Sequence, residues 1–242
     1  SQVAGSRISA NDLFITATAS KTTVHEQEAI LLTYKVYTVV NLRQLYGKMP
    51  DLKGFHTQEV ELPQQKTFTL EHYKGRNYNT TVWSQYVLFP QQTGKLEIPS
   101  ITFDGVVAQQ TISDDPFDAF FNGGGYVEVK KKITTPKVVI NVQLLPAKPA
   151  GFSGAVGEFK LASSINATDV KTNDAVTIKL TLSGTGNMKL IGTPEVKFPQ
   201  DFEIYDPKVT DDYKLTNSGL TGTKTFEYWR FRVMPATLRF RQ

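Results

Sequence analysis

The stretch that decides the fold is Trp83-Ser84-Gln85-Tyr86-Val87-Leu88-Phe89-Pro90, because a similar stretch occurs 145 positions later as Tyr228-Trp229-Arg230-Phe231-Arg232-Val233-Met234-Pro235. The preceding segments correspond too. Glu28-Ala29-Ile30-x-Leu32-x-Tyr34-x-Val36 is similar to Asp174-Ala175-Val176-x-Ile178-x-Leu180-x-Leu182. A supersecondary pattern that recurs once in this way predicts two similar domains in tandem.

The fold class follows from the spacing of apolar residues. Alternation with a period of two dominates both copies, and β-branched and aromatic residues are frequent in it. Hairpins are predicted around the turns at 74–77 and 217–219. Helical periodicity is almost absent, so we predict an all-β chain of two tandem immunoglobulin-like antiparallel β-sandwiches. The second is expected to be incomplete at its C-terminus, because only a short tail follows Pro235.

Composition also predicts the domain boundary. Leu145-Pro146-Ala147-Lys148-Pro149-Ala150-Gly151 is short and rich in Pro, Ala and Gly, which is typical of a semi-rigid linker. We therefore place the first sandwich at residues 1–146, the linker at 147–151 and the second sandwich at 152–242. An aromatic insertion is expected near residues 105–125 of the first sandwich.

Charge and cysteine content exclude several classes of function. The chain of 242 residues has a net charge of +4, and its densest basic run, Lys130-Lys131-Lys132, is typical of a solvated strand edge. No basic stripe with interleaved aromatics appears, so no nucleic-acid partner is predicted. The absence of Cys excludes disulfides, thiolate zinc sites and Cys nucleophiles. No apolar run reaches the roughly 18 residues that a transmembrane helix needs.

Residues that could perform chemistry are scattered. His25, His56 and His72 have no second ligand at metal-binding spacing, so surface or structural roles are favoured. Ser183-Gly184-Thr185-Gly186-Asn187 is interpreted as a turn rather than a phosphate loop. The pairs Asp114-Asp115 and Asp211-Asp212 are interpreted as solvated turn residues, since neither has the ligand pattern of a calcium loop. We predict no catalytic residue, no metal and no cofactor.

The insertion contains the sharpest candidate for a binding site. Asp115 and Pro116 suit the start of a short helix on which Phe117, Phe120 and Phe121 would share one face. With Asp118 at their rim, these three rings resemble the composition of binding hot spots. We hypothesise that Phe117, Asp118, Phe120 and Phe121 bind a protein partner. A flap that covers its own sandwich is an equal alternative.

A series of short motifs gives the chain a family resemblance. They are Asn11-Asp12-Leu13-Phe14, Ser20-Lys21, Leu32-Thr33-Tyr34-Lys35-Val36-Tyr37, Leu88-Phe89-Pro90-Gln91, Gly94-Lys95-Leu96, Asp115-Pro116-Phe117-Asp118-Ala119-Phe120-Phe121, Phe152-Ser153-Gly154-Ala155-Val156-Gly157, Gly184-Thr185-Gly186-Asn187-Met188-Lys189-Leu190-Ile191, Tyr205-Asp206-Pro207-Lys208-Val209 and Lys224-Thr225-Phe226-Glu227-Tyr228. In these motifs the chain resembles the BatD family of aerotolerance (oxygen tolerance) proteins. The resemblance runs from about Asn11 to Tyr228 and stops there.

The resemblance implies a bacterial envelope protein on the periplasmic side of the inner membrane, anchored by a C-terminal helix absent from this sequence. It also implies von Willebrand A-domain membrane proteins as partners and, indirectly, a MoxR-type ATPase. The family has no established catalytic residues. We therefore expect a non-catalytic protein-protein scaffold concerned with aerotolerance, stress or envelope maintenance.

Two other classes of function stay open. A carbohydrate-binding β-sandwich is the first alternative, with Tyr73, Tyr78 and Trp83 of one hairpin as a stacking platform, although Trp83 is expected to belong to the core. An enzyme is the second alternative.

Overall fold

The computed structural model describes residues 8–110 and 125–233, and the fold of these residues is all-β, as predicted. Apart from one 3-10 turn at Met188–Leu190, the regular elements of the described chain are strands. They are β1 Leu13–Ala19, β2 Thr23–His25, β3 Ile30–Thr38, β4 Asn41–Tyr46, β5 Phe55–Glu59, β6 Thr69–Tyr73, β7 Arg76–Pro90, β8 Gly94–Ile98, β9 Thr102–Gln110, β10 Tyr126–Thr134, β11 Val138–Gln143, β12 Gly157–Ile165, β13 Ala175–Gly186, β14 Phe202–Ile204, β15 Lys208–Thr216 and β16 Gly219–Arg232.

Contacts divide the chain into two compact units. The first consists of Ser1–Glu26 with Ile30–Leu144, and the second of Gln27–Ala29 with Leu145–Gln242. The boundaries that the sequence predicts at 146 and 152 remain predictions.

The first unit is built from three sheets. Its main sheet has the order β1-β3-β7-β5, with β6 also paired to β7, and the two smaller sheets have the orders β10-β9-β4 and β2-β11-β8. Pairing among the described strands is antiparallel except between β2 and β11, which run parallel. Fully buried side chains from all three sheets form one core, including Ile15, Leu32, Tyr34, Val36, Leu88, Ile98, Phe103, Val107, Ile133, Ile140 and Val142. The segment after Pro90 forms β8, whose Ile98 is buried in this core.

The second unit repeats the main sheet of the first. Its order is β12-β13-β16-β14, with β15 also paired to β16, so each strand has a counterpart in the same place along the chain. Both predicted hairpins are confirmed: Tyr73 pairs with Arg76 across one turn, and Thr216 pairs with Gly219 across the other. The described residues of this unit form one sheet, whereas those of the first unit form three. The second unit is thus the incomplete sandwich that the sequence predicts.

The two faces of the second sheet differ in polarity. Val176, Phe226 and Tyr228 are buried on one face, where Pro194 accepts a hydrogen bond of 2.9 Å from the Tyr228 hydroxyl. On the same face Leu161 and Ile165 keep 64% and 50% of their surface exposed. The same face also holds the buried side chains of Lys224 and Arg230. Part of this largely apolar face is therefore open to solvent, as is typical of surfaces that meet other molecules.

A β-bulge interrupts β7. Tyr34 pairs with Ser84 and the next residue, Lys35, pairs with Val82, so Trp83 is the extra residue. A bulge of one residue reverses which side chains face the core. Tyr86 accordingly contacts Tyr34 in the core, whereas side chains on the other side of the bulge reverse their faces.

Two interpretations of local segments were wrong. Residues 183–186 belong to β13 rather than to a turn. Glycine is required inside this strand because a Cβ on Gly184 would lie only 2.0 Å from the carbonyl oxygen of Glu158. Asp211 and Asp212 lie within β15 rather than in a turn, and Asp211 pairs with Lys224 at 3.4 Å.

Candidate interaction site on the first unit

Four aromatic rings gather on the outer face of the main sheet of the first unit. They come from four neighbouring strands: Phe14 from β1, Tyr37 from β3, Tyr73 from β6 and Tyr78 from β7. Phe14 faces outward because its neighbours Leu13 and Ile15 are buried in the core. Tyr78 joins it because it lies beyond the bulge at Trp83. We call these four residues the aromatic cluster.

The rings of the aromatic cluster contact one another closely. Phe14 and Tyr37 are stacked with centroids 4.9 Å apart, and Tyr73 lies 4.7 Å from Tyr37. Tyr78 meets both Phe14 and Tyr37 edge to face, at 5.3 and 5.9 Å. Such pairs contribute about 0.5–1.5 kcal/mol each beyond the area they bury. The cluster thus joins β6 to the sheet as a small second core.

Charged groups surround the rings. The Lys35 ammonium lies 5.3 Å from the centre of the Tyr37 ring and donates to the Glu71 carboxylate at 2.5 Å. Glu71 also accepts a hydrogen bond from the Thr80 hydroxyl at 3.2 Å. The hydrogen bond from Lys35 lowers the pKa of Glu71, and the same bond raises the pKa of Lys35. Both groups are therefore held in their charged forms.

A second ion pair lies at the turn of the hairpin. The Arg76 guanidinium is 5.6 Å from the centre of the Tyr78 ring and contacts the Asp12 carboxylate at 3.0 Å. Asp12 accepts a further hydrogen bond from the backbone N–H of Ser9, which lowers the pKa of its carboxyl. Lys74 lies over the Tyr73 ring at 5.3 Å. Cations thus rim the aromatic cluster on its hairpin side.

A groove of about 660 Å³ lies beside the cluster. Its lining includes the rings of Phe14, Tyr73 and Tyr78 together with Lys74 and Arg76. Rings and Arg are enriched where proteins bind proteins.

The binding residues that the sequence predicts have different outcomes. Phe117, Asp118, Phe120 and Phe121 lie outside the described residues, and their role stays a prediction. Of the three-ring platform predicted for carbohydrate, Tyr73 and Tyr78 come together at 6.5 Å. Trp83 does not join them, because as the bulge residue it packs against the core and beside Lys66.

The polar residues singled out in the sequence are dispersed. His56 and His72 are exposed and contact the amides of Gln58 and Asn77. His25 ends β2. In residues 8–110 and 125–233 no three His, Asp or Glu side chains gather as a metal site would require. Lys130–Lys132 lies on β10, at the end of its sheet, as predicted.

Sequence reasoning missed the aromatic cluster. One signal was present: Tyr73 and Tyr78 belong to the two strands of one hairpin, and Phe14 and Tyr37 occupy the outward positions of their strands. What the pattern could not supply was the bulge, without which Tyr78 would face the core.

The repeated sheet order defines the class of protein: an all-β chain of two tandem immunoglobulin-like units. The family profile described as BatD DUF11 like domain matches residues 17–142 and 163–237. The chain therefore belongs to the BatD family, which is not known as a family of enzymes and whose membership indicates an association with the cell envelope. No curated protein matches the chain. In the described part of the chain no helix is long and apolar enough to cross a membrane.

Proposed function

We propose that this chain is the non-catalytic interaction region of a membrane-anchored, periplasm-facing BatD protein, in which it acts as a protein-protein scaffold in aerotolerance, stress or envelope maintenance. The partners would be von Willebrand A-domain membrane proteins and, through them, a MoxR-type ATPase. Family membership supports the setting, and the geometry of the first unit supports binding.

The observation that carries the proposal is the aromatic cluster with its cationic rim. Phe14 and Tyr73 are partly exposed on this face, and Tyr37 and Tyr78 are buried against them. Partly exposed rings next to Lys74 and Arg76 match the composition of interface hot spots better than that of a solvated sheet. Because the cluster rests on paired strands rather than on a loop, its rings are held in place before a partner arrives. Such preorganisation lowers the entropy that association costs.

Co-purification of the full-length protein from its own membranes tests the proposal. Tyr73→Ala and Lys74→Glu change the exposed side of the groove, and we expect each to reduce recovery of a von Willebrand A-domain protein at least about tenfold, as loss of a hot spot does. Arg43→Glu, an exposed change on β4, is the matched control and should leave recovery unchanged. Equal recovery with all variants, at unchanged thermal stability, would refute the groove as the binding surface.

Carbohydrate binding is the second candidate, favoured by the presence of Tyr73 and Tyr78 in one groove with the polar side chains of Asn11 and Thr16. Glycan-array binding that is lost with Tyr73→Ala would promote it. Tyr78→Ala is a weaker test, because Tyr78 is only 5% exposed and its loss would disturb the fold.

The insertion gives a separate test of partner binding. Deletion of Asp115–Asn122 should abolish a partner interaction with little change in melting temperature if the segment is a docking element. A large fall in melting temperature would favour the flap instead.

A further inference from the structure

β12 is a long, regular and exposed edge strand. Its nine residues pair with β13 in an unbroken register, and in the part of the chain that the structure describes no strand pairs with its other edge. All of its residues are exposed except Phe159, which is partly buried. An edge of this kind presents a row of backbone N–H and C=O groups to solvent and is a template for strand addition.

Other edges carry the features that discourage pairing. β15 has four charged residues, Lys208, Asp211, Asp212 and Lys214, and β10 carries the run Lys130–Lys132. β14 is three residues long. β12 has no Pro and no bulge, and its charges are limited to Glu158 and Lys160 near one end. Short length, charge and irregularity are the usual protections of an edge, and residues 161–165 of β12 have none of them.

We propose that two copies of this chain associate by antiparallel pairing of their β12 strands about a two-fold axis at Leu161. Leu161 is the middle residue of Gly157–Ile165, so this register overlaps the whole strand with its copy. A two-fold contact uses the same patch on both copies and closes on itself, which yields a dimer rather than a fibre. The occupant that we assign to this edge is a second copy of this chain, because this register brings no like charges of the two strands opposite each other.

The side chains fit this register. Leu161 meets its own copy, and Phe159 meets Ser163 on the same, apolar face. On the polar face Lys160 meets Ala162 and Glu158 meets Ser164, so no two like charges stand directly opposite each other. The pairing places the exposed Leu161 beside its copy and continues this face of the sheet into the partner. It concerns the second unit alone and does not depend on what the first unit binds.

Cysteine trapping tests the register, because the native chain has no Cys to interfere. In an antiparallel pair the Cα atoms of opposite residues are about 4.5–5.5 Å apart, within disulfide range. Leu161→Cys should therefore form an intermolecular disulfide at least tenfold faster than Ser163→Cys. The two Ser163 residues would be four positions out of register, about 14 Å apart along the strands. Equal rates, or no disulfide in either variant, would overturn the proposal.

Charge exchange at the same position separates loss of pairing from misfolding. Leu161→Lys and Leu161→Glu should each shift the chain to monomer in analytical ultracentrifugation, since like charges would meet at the axis, and a mixture of the two should restore the dimer. A wild-type chain that is monomeric throughout, or variants whose mixture stays monomeric while the wild type dimerises, would contradict pairing about Leu161.

Discussion

The ammonium of Lys66 donates a hydrogen bond of 2.7 Å to the carbonyl oxygen of Trp83, the extra residue of the bulge in β7. A bulge removes its residue from the regular ladder and leaves backbone groups in need of other partners. Lys66 supplies that partner from the segment between β5 and β6, and its ammonium also lies 5.5 Å from the centre of the Trp83 ring. The bulge in turn places Tyr78 on the outer face, so this contact supports the aromatic cluster.

Replacement of Lys66 should weaken the first unit. Lys66→Met keeps the apolar stem but leaves the Trp83 carbonyl without its donor, and we expect a loss of about 1–2 kcal/mol in the free energy of unfolding. Urea unfolding followed by Trp fluorescence measures it. Lys53→Met, at an exposed position in a turn, is the control and should change stability by no more than about 0.5 kcal/mol. Equal losses of unfolding free energy in both variants would contradict the stabilising role of the hydrogen bond from Lys66 to Trp83.

Gly184 should not tolerate a side chain. A Cβ there would stand 2.0 Å from the backbone carbonyl oxygen of Glu158, and Gly184 has a φ of +156°. Gly184→Ala must push β12 away from β13, at a cost of about 1–3 kcal/mol as for other overpacked sites. Gly192→Ala is the matched control, because nothing lies within 4 Å of its added Cβ. Thermal unfolding measures the stability of both variants. A melting temperature of Gly184→Ala equal to that of the wild type would show that β12 does not approach β13 as described.

The ion pair of Lys35 and Glu71 should make stability depend on pH. The folded state lowers the pKa of Glu71, so the stabilisation is present above the pKa of this carboxyl in the unfolded chain and is lost as the pH falls through its folded value. The folded state raises the pKa of Lys35, so at the alkaline end the stabilisation is lost only as the pH rises through that raised value.

Melting temperatures of the wild type and Glu71→Gln between about pH 7 and pH 3 measure the acidic part of this dependence. The wild type should be more stable at neutral pH, and the gap should close as the pH falls. Lys137→Gln, which removes an exposed pair with Glu97, is the control. A gap between the wild type and Glu71→Gln that is constant over this range would contradict the assignment.

The two faces of the second sheet should respond differently to truncation. Phe226 is 1% exposed and Phe231 is 40% exposed, on opposite faces of β16. Phe226→Ala should cost about 3–5 kcal/mol, the usual loss for a buried Phe. Phe231→Ala should cost clearly less. Denaturant unfolding of both variants provides the comparison, and a reversed order would mean that the apolar face has been misassigned.

Much of the fold could be predicted from period-two patterns and turn residues. The turns at Gly75 and Gly219 predicted hairpins. The repeated segments before Pro90 and Pro235 predicted two units of similar structure. These signals are local or repeat along the chain. The parallel pairing of β2 with β11 has no local signal, because it joins Val24 to Val142 across most of the first unit.

The candidate site could be predicted less well. Which face Tyr78 occupies depends on a single extra residue at Trp83, and one residue reverses every side chain beyond it. Glycines in the second unit led to a wrong prediction. Gly184 and Gly186 suggested a turn, but they lie inside a strand, where neighbouring backbone atoms leave no room for a side chain.

Photo-crosslinking in cells tests most directly the claim that the aromatic cluster meets a protein partner. A photoreactive phenylalanine would replace Tyr73, on the outer face of β6, and in a second strain Leu70, which is 73% exposed on the opposite face of the same strand. We expect a crosslink to a von Willebrand A-domain protein from position 73 and none from position 70. The same crosslinks from both positions, or none from position 73 in cells that contain the partner, would contradict the claim.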